Sequence, residues 1–222
     1  MTHFSKAILA LWLAVTGVSA KKAEPDSKIT FSVTRFDPQD RPSPKFVVKQ
    51  GSKDVEVEVP LTYIAGPFTA TLREGKFLDF FEGDAEQPAL TTQIPEAMRS
   101  DLLIAFVPDE KSFKLLKIHA PRNKIGGGDY YVVNAMESDV AIKYGSTKPI
   151  LIQPGKSAIL HDRAAAKSPT LPVVINQKQG EQWKLISSEN WPNDARFRNF
   201  LFLYNSARDL HLAIHGISER LD

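Results

Sequence analysis

The stretch KITFSVTRF, residues Lys28–Phe36, alternates apolar and polar side chains along most of its length. Ile29, Phe31 and Val33 fall on one face of an extended chain, and the serine and threonines between them fall on the other. DVEVEVP, residues 54–60, repeats the pattern with valines against glutamates. Because successive side chains of a β-strand point to opposite faces, this period of two predicts half-buried strands.

Short apolar segments divided by turn sequences continue to the end of the chain. They include LLIAFVP, SFKLLKIH, YYVVNA, LPVVINQ, QWKLISS and FLFLY, with turns such as EG, PG and QG between segments. About a dozen short strands at this spacing favour a sandwich or barrel over alternating strands and helices. We therefore predict an all-β protein built as an antiparallel β-sandwich.

Proline, basic residues and glycines interrupt the strands at HAPRNKIGGGD, residues 119–129. We predict two immunoglobulin-like sandwich modules in tandem, residues 28–119 and 120–222, each near the usual size of about 100 residues. One continuous sandwich across both halves is the alternative. No internal repeat with a fixed period is visible in the sequence, which disfavours a propeller or a solenoid.

The first twenty residues, MTHFSKAILALWLAVTGVSA, have the pattern of a secretory signal peptide. Lys6 supplies the positive charge, an apolar run follows, and Val18 and Ala20 are the small residues that precede a cleavage site. The run is too short and wrongly flanked for a membrane-spanning helix. We expect residues 1–20 to be removed, residues 21–27 to form a flexible leader, and the protein to be secreted or periplasmic.

The chain contains no cysteine, and its formal net charge at pH 7 is +2. Disulfide bonds, thiolate metal sites and cysteine nucleophiles are therefore excluded. Lysines and arginines form no dense stripe, which argues against nucleic-acid binding. No segment after the signal peptide has the length of a bilayer span, so we expect no transmembrane segment in the mature chain. An exported protein without cysteine fits a bacterial envelope.

The stretch KIGGGDYYVVNAM, residues 124–136, raises the question of a phosphate-binding loop. Such a loop leads into a helix, whose N-terminal amides bind the anion. Aromatic and β-branched residues follow Gly128 instead, so we interpret the glycines as a bend before a strand. PGKSA, residues 154–158, resembles the end of a Walker motif, but Ile150 stands where that motif needs its first glycine, and we interpret it as a turn.

Candidates for catalysis or metal binding are few. His211 and His215 have the spacing of a helical metal pair, and Asp209 lies nearby. The residues between the histidines alternate as in a strand, however, and no glutamate accompanies them as in HExxH, so a metal would need a third ligand from elsewhere in the chain. The chain has no G-x-S-x-G motif, and its paired carboxylates fit strand exteriors and loops. We predict no enzyme, no catalytic residue, no metal and no cofactor, although a triad assembled from distant loops stays open.

An aromatic residue beside arginines gives the candidate binding site. Trp191 precedes Pro192 in the segment SENWPNDARFRN, which also contains Arg196 and Arg198. A loop of this composition can stack on a sugar or bind an anionic partner, so we predict Trp191, Arg196 and Arg198 as partner-binding residues. The alternative is a tryptophan that covers the end of the sandwich. We expect Trp183, in QWKLISS, in the core.

The segment from GGDYYVVNAM to PGKSAIL, residues 127–160, resembles uncharacterised secreted bacterial β-sandwich proteins. In these proteins a glycine-rich bend leads into an aromatic strand that ends in Asn, and a proline–glycine turn joins two later strands. A periplasmic accessory protein of alginate O-acetylation is similar in the same local pattern. The resemblance implies a sandwich module here, and it carries over no catalytic residue because the pattern consists of turn and core positions.

These features predict a secreted, non-catalytic binding or accessory protein of the bacterial cell envelope, with a protein or a polysaccharide as partner. Two alternatives stay open. Numerous strand edges would suit a structural subunit of a surface assembly, and a hydrolase or transferase could use the same scaffold. The sequence does not determine the oligomeric state.

Overall fold

The computed structural model of the chain describes residues 27–36, 42–108, 112–165, 167–205 and 212–221. The predicted signal peptide and His211 lie outside these residues. Strands make up most of the described chain, and its helical parts are two 3-10 turns, Glu96–Met98 and Arg163–Ala165. Neither turn has the length or the hydropathy of a membrane-spanning helix. The prediction of an all-β fold is confirmed.

The first half of the described chain contains eight strands. They are β1 (Ser27–Arg35), β2 (Lys45–Gln50), β3 (Lys53–Glu58), β4 (Ala65–Leu72), β5 (Phe77–Phe80), β6 (Leu90–Gln93), β7 (Leu102–Pro108) and β8 (Phe113–His119). One sheet has the order β4-β1-β7-β8, in which β1 and β7 are parallel. Two backbone hydrogen bonds between Val47 and Phe81 join the hairpins β2-β3 and β5-β6 in the order β3-β2-β5-β6.

The second half of the described chain also contains eight strands. They are β9 (Tyr130–Asn134), β10 (Val140–Tyr144), β11 (Ile150–Ile152), β12 (Ser157–Leu160), β13 (Thr170–Gln179), β14 (Gln182–Pro192), β15 (Phe197–Asn205) and β16 (Leu212–Arg220). The two sheets have the orders β12-β9-β15-β16 and β11-β10-β13-β14, with β9 parallel to β15. When the strands of the second half are renumbered from one to eight, its sheets have the orders 4-1-7-8 and 3-2-5-6. The two sheets of the first half have the same orders.

This order differs from that of immunoglobulin constant domains, which place the first, second, fifth and fourth strands in one sheet. The predicted immunoglobulin-like arrangement is therefore not confirmed. Antiparallel pairing holds for the described neighbours except β1 with β7 and β9 with β15. These two parallel pairs depart from the predicted antiparallel sheets. Alternation determines which face of a strand is buried, and both parallel and antiparallel ladders satisfy it, so it could not establish the direction of pairing.

Each half has an apolar core. In the first core, Phe46 and Phe106 stack with ring centroids 5.4 Å apart, and Phe80 meets Phe106 edge-on at 5.2 Å. The second core combines aliphatic residues with Tyr144 and Trp191. Large aromatic side chains bury much apolar area each, so both cores can stabilise the fold without disulfide bonds.

A third apolar cluster joins the two halves. Phe36 from the first half stacks on Phe202 from the second, with ring centroids 5.3 Å apart. Further buried members are Leu103, Ala105, Ile118, Phe200 and Ile217. The halves therefore bury apolar surface against each other, which opposes independent motion. The predicted module boundary at residue 120 stays a prediction.

The glycine triplet forms a bend before β9, as predicted. Gly128 has a φ of 79°, and β9 begins at Tyr130 with no helix between them. A Cβ atom on Gly127 would overlap the carbonyl oxygen of Ala195, so the loop packs against the connection between β14 and β15. Gly155 of PGKSA has a φ of 68° in the turn between β11 and β12. Both turn interpretations are confirmed.

Candidate functional site

Trp191 lies in β14 with 8% of its surface exposed. Its ring lies 5.1 Å from that of Tyr130, whose pKa burial raises to about 12. The Tyr130 hydroxyl donates a hydrogen bond to the carbonyl oxygen of Pro192. The prediction of a loop at Trp191 is wrong, because Trp191 continues the ladder opposite Leu171. The indole packs in the core, away from the surface where a sugar would stack.

Arg196 lies in the exposed connection between β14 and β15. Its Nη2 donates a hydrogen bond of 2.6 Å to Oδ2 of Asp194. Hydrogen bonds from the side chain and the backbone of Arg196 lower the pKa of Asp194 to about 2. Water screens such an exposed pair, so it contributes little to stability. Arg196 is thus compensated within its own loop.

Arg198 lies in β15 with 7% of its surface exposed. Its Nε donates to Oε2 of Glu219 at 2.7 Å, and its Nη1 donates to the carbonyl oxygen of Ala120 at 2.6 Å. Its guanidinium lies 5.4 Å from the ring centroid of Phe200, which belongs to the third cluster. Side chains of β15 alternate between this cluster and the second core, so Arg198 and Trp191 do not share a surface.

Arg198 is part of the wall of a cleft of about 680 Å³ where the two halves meet. We call this space the basic cleft. Its wall comes from the starts of β1, β4, β7 and β15, the end of β16 and the segment after β8. The charged residues of the wall are Lys28, Arg99, Asp101, Arg122, Arg198, Glu219 and Arg220. Five basic groups against two acids make the potential in the cleft positive.

Some of this charge is already compensated. Glu219 accepts the hydrogen bond from Arg198 and lies 3.6 Å from Nη2 of Arg122. Arg99 donates from Nη2 to the carbonyl oxygen of Gly75 at 2.6 Å, while its buried Nε has no hydrogen-bond partner in the described chain. One carboxylate therefore faces two arginines, and the surplus of positive charge remains.

Lys28, Arg122 and Arg220 are the exposed basic side chains of the basic cleft, and within the described residues neither Lys28 nor Arg220 has an ion pair. Guanidinium and ammonium groups bind carboxylates and phosphates through charge-assisted hydrogen bonds. Phe31 and Leu102 add apolar wall, which strengthens electrostatic attraction beside them. The cleft can hold an anionic group. Of its residues the sequence indicated only Arg198, because the others are distant along the chain and form no local motif.

His215 lies in β16, and its Nε2 is 3.1 Å from the carbonyl oxygen of Leu61 in the first half. Burial lowers the pKa of His215, the hydrogen bond with Leu61 opposes this effect, and the charge of Arg35 adds to it. Within the described ranges, no three His, Asp or Glu side chains are grouped so that they could hold a metal ion. Whether His211 and His215 could bind a metal together stays untested, because His211 lies outside the residues that the structure describes.

Trp183 is 47% exposed, so the prediction that it is a core residue is wrong. The register of β13 with β14 shifts between Ile175 and Asn176, where Ile186 is the extra residue of β14. A bulge of this kind reverses which alternate positions face inward. Trp183 and Leu185 before the bulge therefore face outward, while Trp191 after it faces the core.

Comparison of the chain with protein-family models and with curated protein sequences finds no match. Its function must therefore be inferred from the fold, the basic cleft and the exposed surface.

Proposed function

We propose that the chain is a secreted, non-catalytic accessory protein of the bacterial cell envelope, and that its basic cleft binds an anionic group of a partner. The proposal includes export through the signal peptide of residues 1–20. It also includes two sandwich modules of immunoglobulin-like size, residues 28–119 and 120–222, which present the cleft between them. The observation that carries the proposal is the excess of basic over acidic side chains in a cleft of about 680 Å³.

A carboxylate-bearing protein segment fits the basic cleft best. Arginine binds carboxylates with two parallel hydrogen bonds, and four of the five basic groups of the wall are arginines. Phe31, Pro67 and Leu102 also line the cleft, so a ligand with apolar atoms beside its carboxylates would bury both kinds of surface. An acidic peptide segment has this mixed character to a greater degree than a hydroxyl-rich sugar chain.

The test is titration of the purified protein with a short poly-glutamate peptide, with a poly-glutamine peptide of equal length and with a polyuronate oligosaccharide. The double variant Lys28→Glu/Arg220→Glu reverses the charge of the two exposed cations of the cleft that have no ion pair within the described residues. The double variant Lys49→Glu/Lys53→Glu, in the exposed hairpin of β2 and β3, makes the same change of net charge and is the control. Isothermal titration calorimetry at two salt concentrations gives the affinities.

We expect poly-glutamate to bind, poly-glutamine not to bind, and the double variant to lose about tenfold or more in affinity, with weaker binding at high salt. Equal affinity of the parent and the double variant would contradict the proposal. Binding of the polyuronate alone, lost in the double variant, would keep the anion site but make the partner a polysaccharide. Sedimentation at several protein concentrations distinguishes a binding protein from a subunit that assembles with itself.

A further inference from the structure

Three large apolar side chains are exposed on one face of the sheet β11-β10-β13-β14. Leu151, Trp183 and Leu185 are 55%, 47% and 57% exposed, and we call them the outer patch. Leu151 pairs with Ala141, Ala141 with Asn176 and Asn176 with Leu185, so these residues form one row across the four strands. Trp183 lies two residues from Leu185 on the same strand and therefore on the same face.

The equivalent sheet of the first half, β3-β2-β5-β6, has a different outer face. Lys45 lies 3.1 Å from Glu56 and Lys49 lies 2.7 Å from Asp54, both as exposed ion pairs. Such charged pairs keep a sheet face solvated and discourage association. Both sheets have the same place in the repeated strand order, so the fold itself does not require the exposed apolar residues of the outer patch.

The size of the outer patch favours a narrow ligand over a second copy of the chain. The exposed parts of its three side chains amount to on the order of 300 Å², within the range of functional patches on monomers. A stable protein dimer buries about 800 Å² on each partner. Backbone groups of the inner strands β10 and β13 are paired on both sides, so the face offers side chains rather than a free backbone ladder.

Apolar and polar side chains of the outer face lie next to each other, at a spacing similar to the size of one sugar ring. Trp183 stands opposite Lys178 and Leu185 stands opposite Asn176, and such cross-strand partners lie about 5 Å apart. The C–H face of a pyranose packs on an indole ring, while its hydroxyls bind amide and ammonium groups. Outward-facing positions of these four strands include two lysines, Lys143 and Lys178, and no acid. Their charge complements a carboxylated sugar.

From the row of exposed apolar residues and the lysines beside it, we propose that the outer patch binds a linear acidic polysaccharide. Trp183 stacks on a sugar ring, Leu151 and Leu185 contact its neighbours, and Lys143 and Lys178 bind the carboxylates. No residue of the outer patch lines the basic cleft, so this inference does not depend on the cleft. The chain would then hold a polysaccharide on one surface and a protein segment at another.

The test compares binding of a long polyuronate and of a neutral glucan to the purified protein, followed by tryptophan fluorescence and calorimetry. Trp183→Ala removes the stacking ring, and Lys178→Glu reverses the adjacent charge. Lys45→Glu makes the same charge change on the equivalent face of the first half and is the matched control. Circular dichroism confirms that each variant is folded.

We expect the polyuronate to bind, Trp183→Ala to weaken binding at least tenfold, Lys178→Glu to weaken it severalfold, and Lys45→Glu to leave it unchanged. Failure of the polyuronate to bind, or an equal loss in Lys45→Glu, would overturn the proposal. Preference for the neutral glucan would overturn the role of the lysines. Dimerisation that Trp183→Ala abolishes would show that a second copy, and not a polysaccharide, covers the patch. The cleft variant Lys28→Glu/Arg220→Glu should bind the polyuronate normally, which separates this test from that of the proposed function.

Discussion

The two halves have the same strand order, 4-1-7-8 and 3-2-5-6, but they place different side chains on the outer face of the second sheet. In the first half that face has lysines paired with acids, and in the second half it has Leu151, Trp183 and Leu185. Both halves nevertheless bury an apolar core between their sheets. The two halves thus share the strand order and an apolar core, while their outer faces differ.

The largest expected effect concerns the cluster that joins the halves. Phe202→Ala removes a ring that is 1% exposed and stacks on Phe36, so we expect a loss of about 3–5 kcal/mol in the free energy of unfolding. Because Phe202 contacts both halves, we also expect the parent to unfold in one transition and the variant in two. Urea denaturation followed by tryptophan fluorescence and by circular dichroism measures both quantities.

Phe80→Ala in the first core is the matched control for Phe202→Ala. It should destabilise the first half without separating the transitions in the same way, since Phe80 belongs to one core only. If Phe202→Ala lowers stability but leaves one coincident transition, the two halves are a single cooperative unit. The comparison between them would then concern sheets of one domain and not two modules.

The next effect concerns the glycine bend that opens the second half. Gly127→Ala would place a Cβ atom into the carbonyl oxygen of Ala195, and we expect a loss of about 3 kcal/mol, since the clash is with backbone. Gly51→Ala, in the β2-β3 turn of the first half, meets no atom within 4 Å and should cost only about 1 kcal/mol for its φ of 62°. Thermal unfolding of both variants measures the difference, and equal losses would contradict a packing role for Gly127.

The all-β fold class could be predicted from the sequence, because apolar and polar residues that alternate over several positions indicate a β-strand. Strand β1, with Ile29, Phe31 and Val33 inward, is an example. Strand β2 was missed because only Phe46 and Val48 carry its inward pattern, and β6, with the sequence LTTQ, has almost none. The parallel pairings and the repeated order involve partners distant along the chain, which local periodicity does not record.

The candidate site was less predictable for the same reason. Arg198 was identified from its neighbours along the chain, but its contacts are with Ala120 and Glu219, which folding brings to it. Trp183 and Trp191 have the same parity in sequence and would share a face on a regular strand. The bulge at Ile186 places them on opposite faces, and no residue in the segment QWKLISS predicts a bulge.

A smaller effect concerns the pH dependence of the contact between the halves. The lowered pKa of His215 means that the folded state binds a proton less readily than the unfolded state, whose histidine has a pKa near 6.5. Stability is therefore unaffected by His215 well above pH 6.5 and falls as the pH drops below that value toward the folded-state pKa. His215→Gln should flatten this part of the stability profile, measured by urea denaturation between pH 5 and pH 8.

The exposed His161→Gln variant is the control for removing a histidine. The charge of Arg35 near His215 is one of the causes of its lowered pKa and so contributes to the same loss of stability at low pH. A profile of His215→Gln that still falls as steeply as the parent below pH 6.5 would assign the effect to other groups. The contact of His215 with Leu61 would then have no part in the pH dependence of stability where the two halves meet.

The smallest expected effects on stability compare the outer faces of the two halves directly. Lys49→Met, which breaks the ion pair with Asp54, should cost no more than about 1 kcal/mol, because the pair is exposed. Trp183→Lys should change stability by less than about 0.5 kcal/mol, because the ring is exposed and its loss opens no cavity. A contiguous exposed apolar patch that adds little to stability is typical of a binding surface. If thermal unfolding shows that Trp183→Lys costs several times more than Lys49→Met, the ring has a structural role, and the contrast between the faces no longer indicates a binding surface.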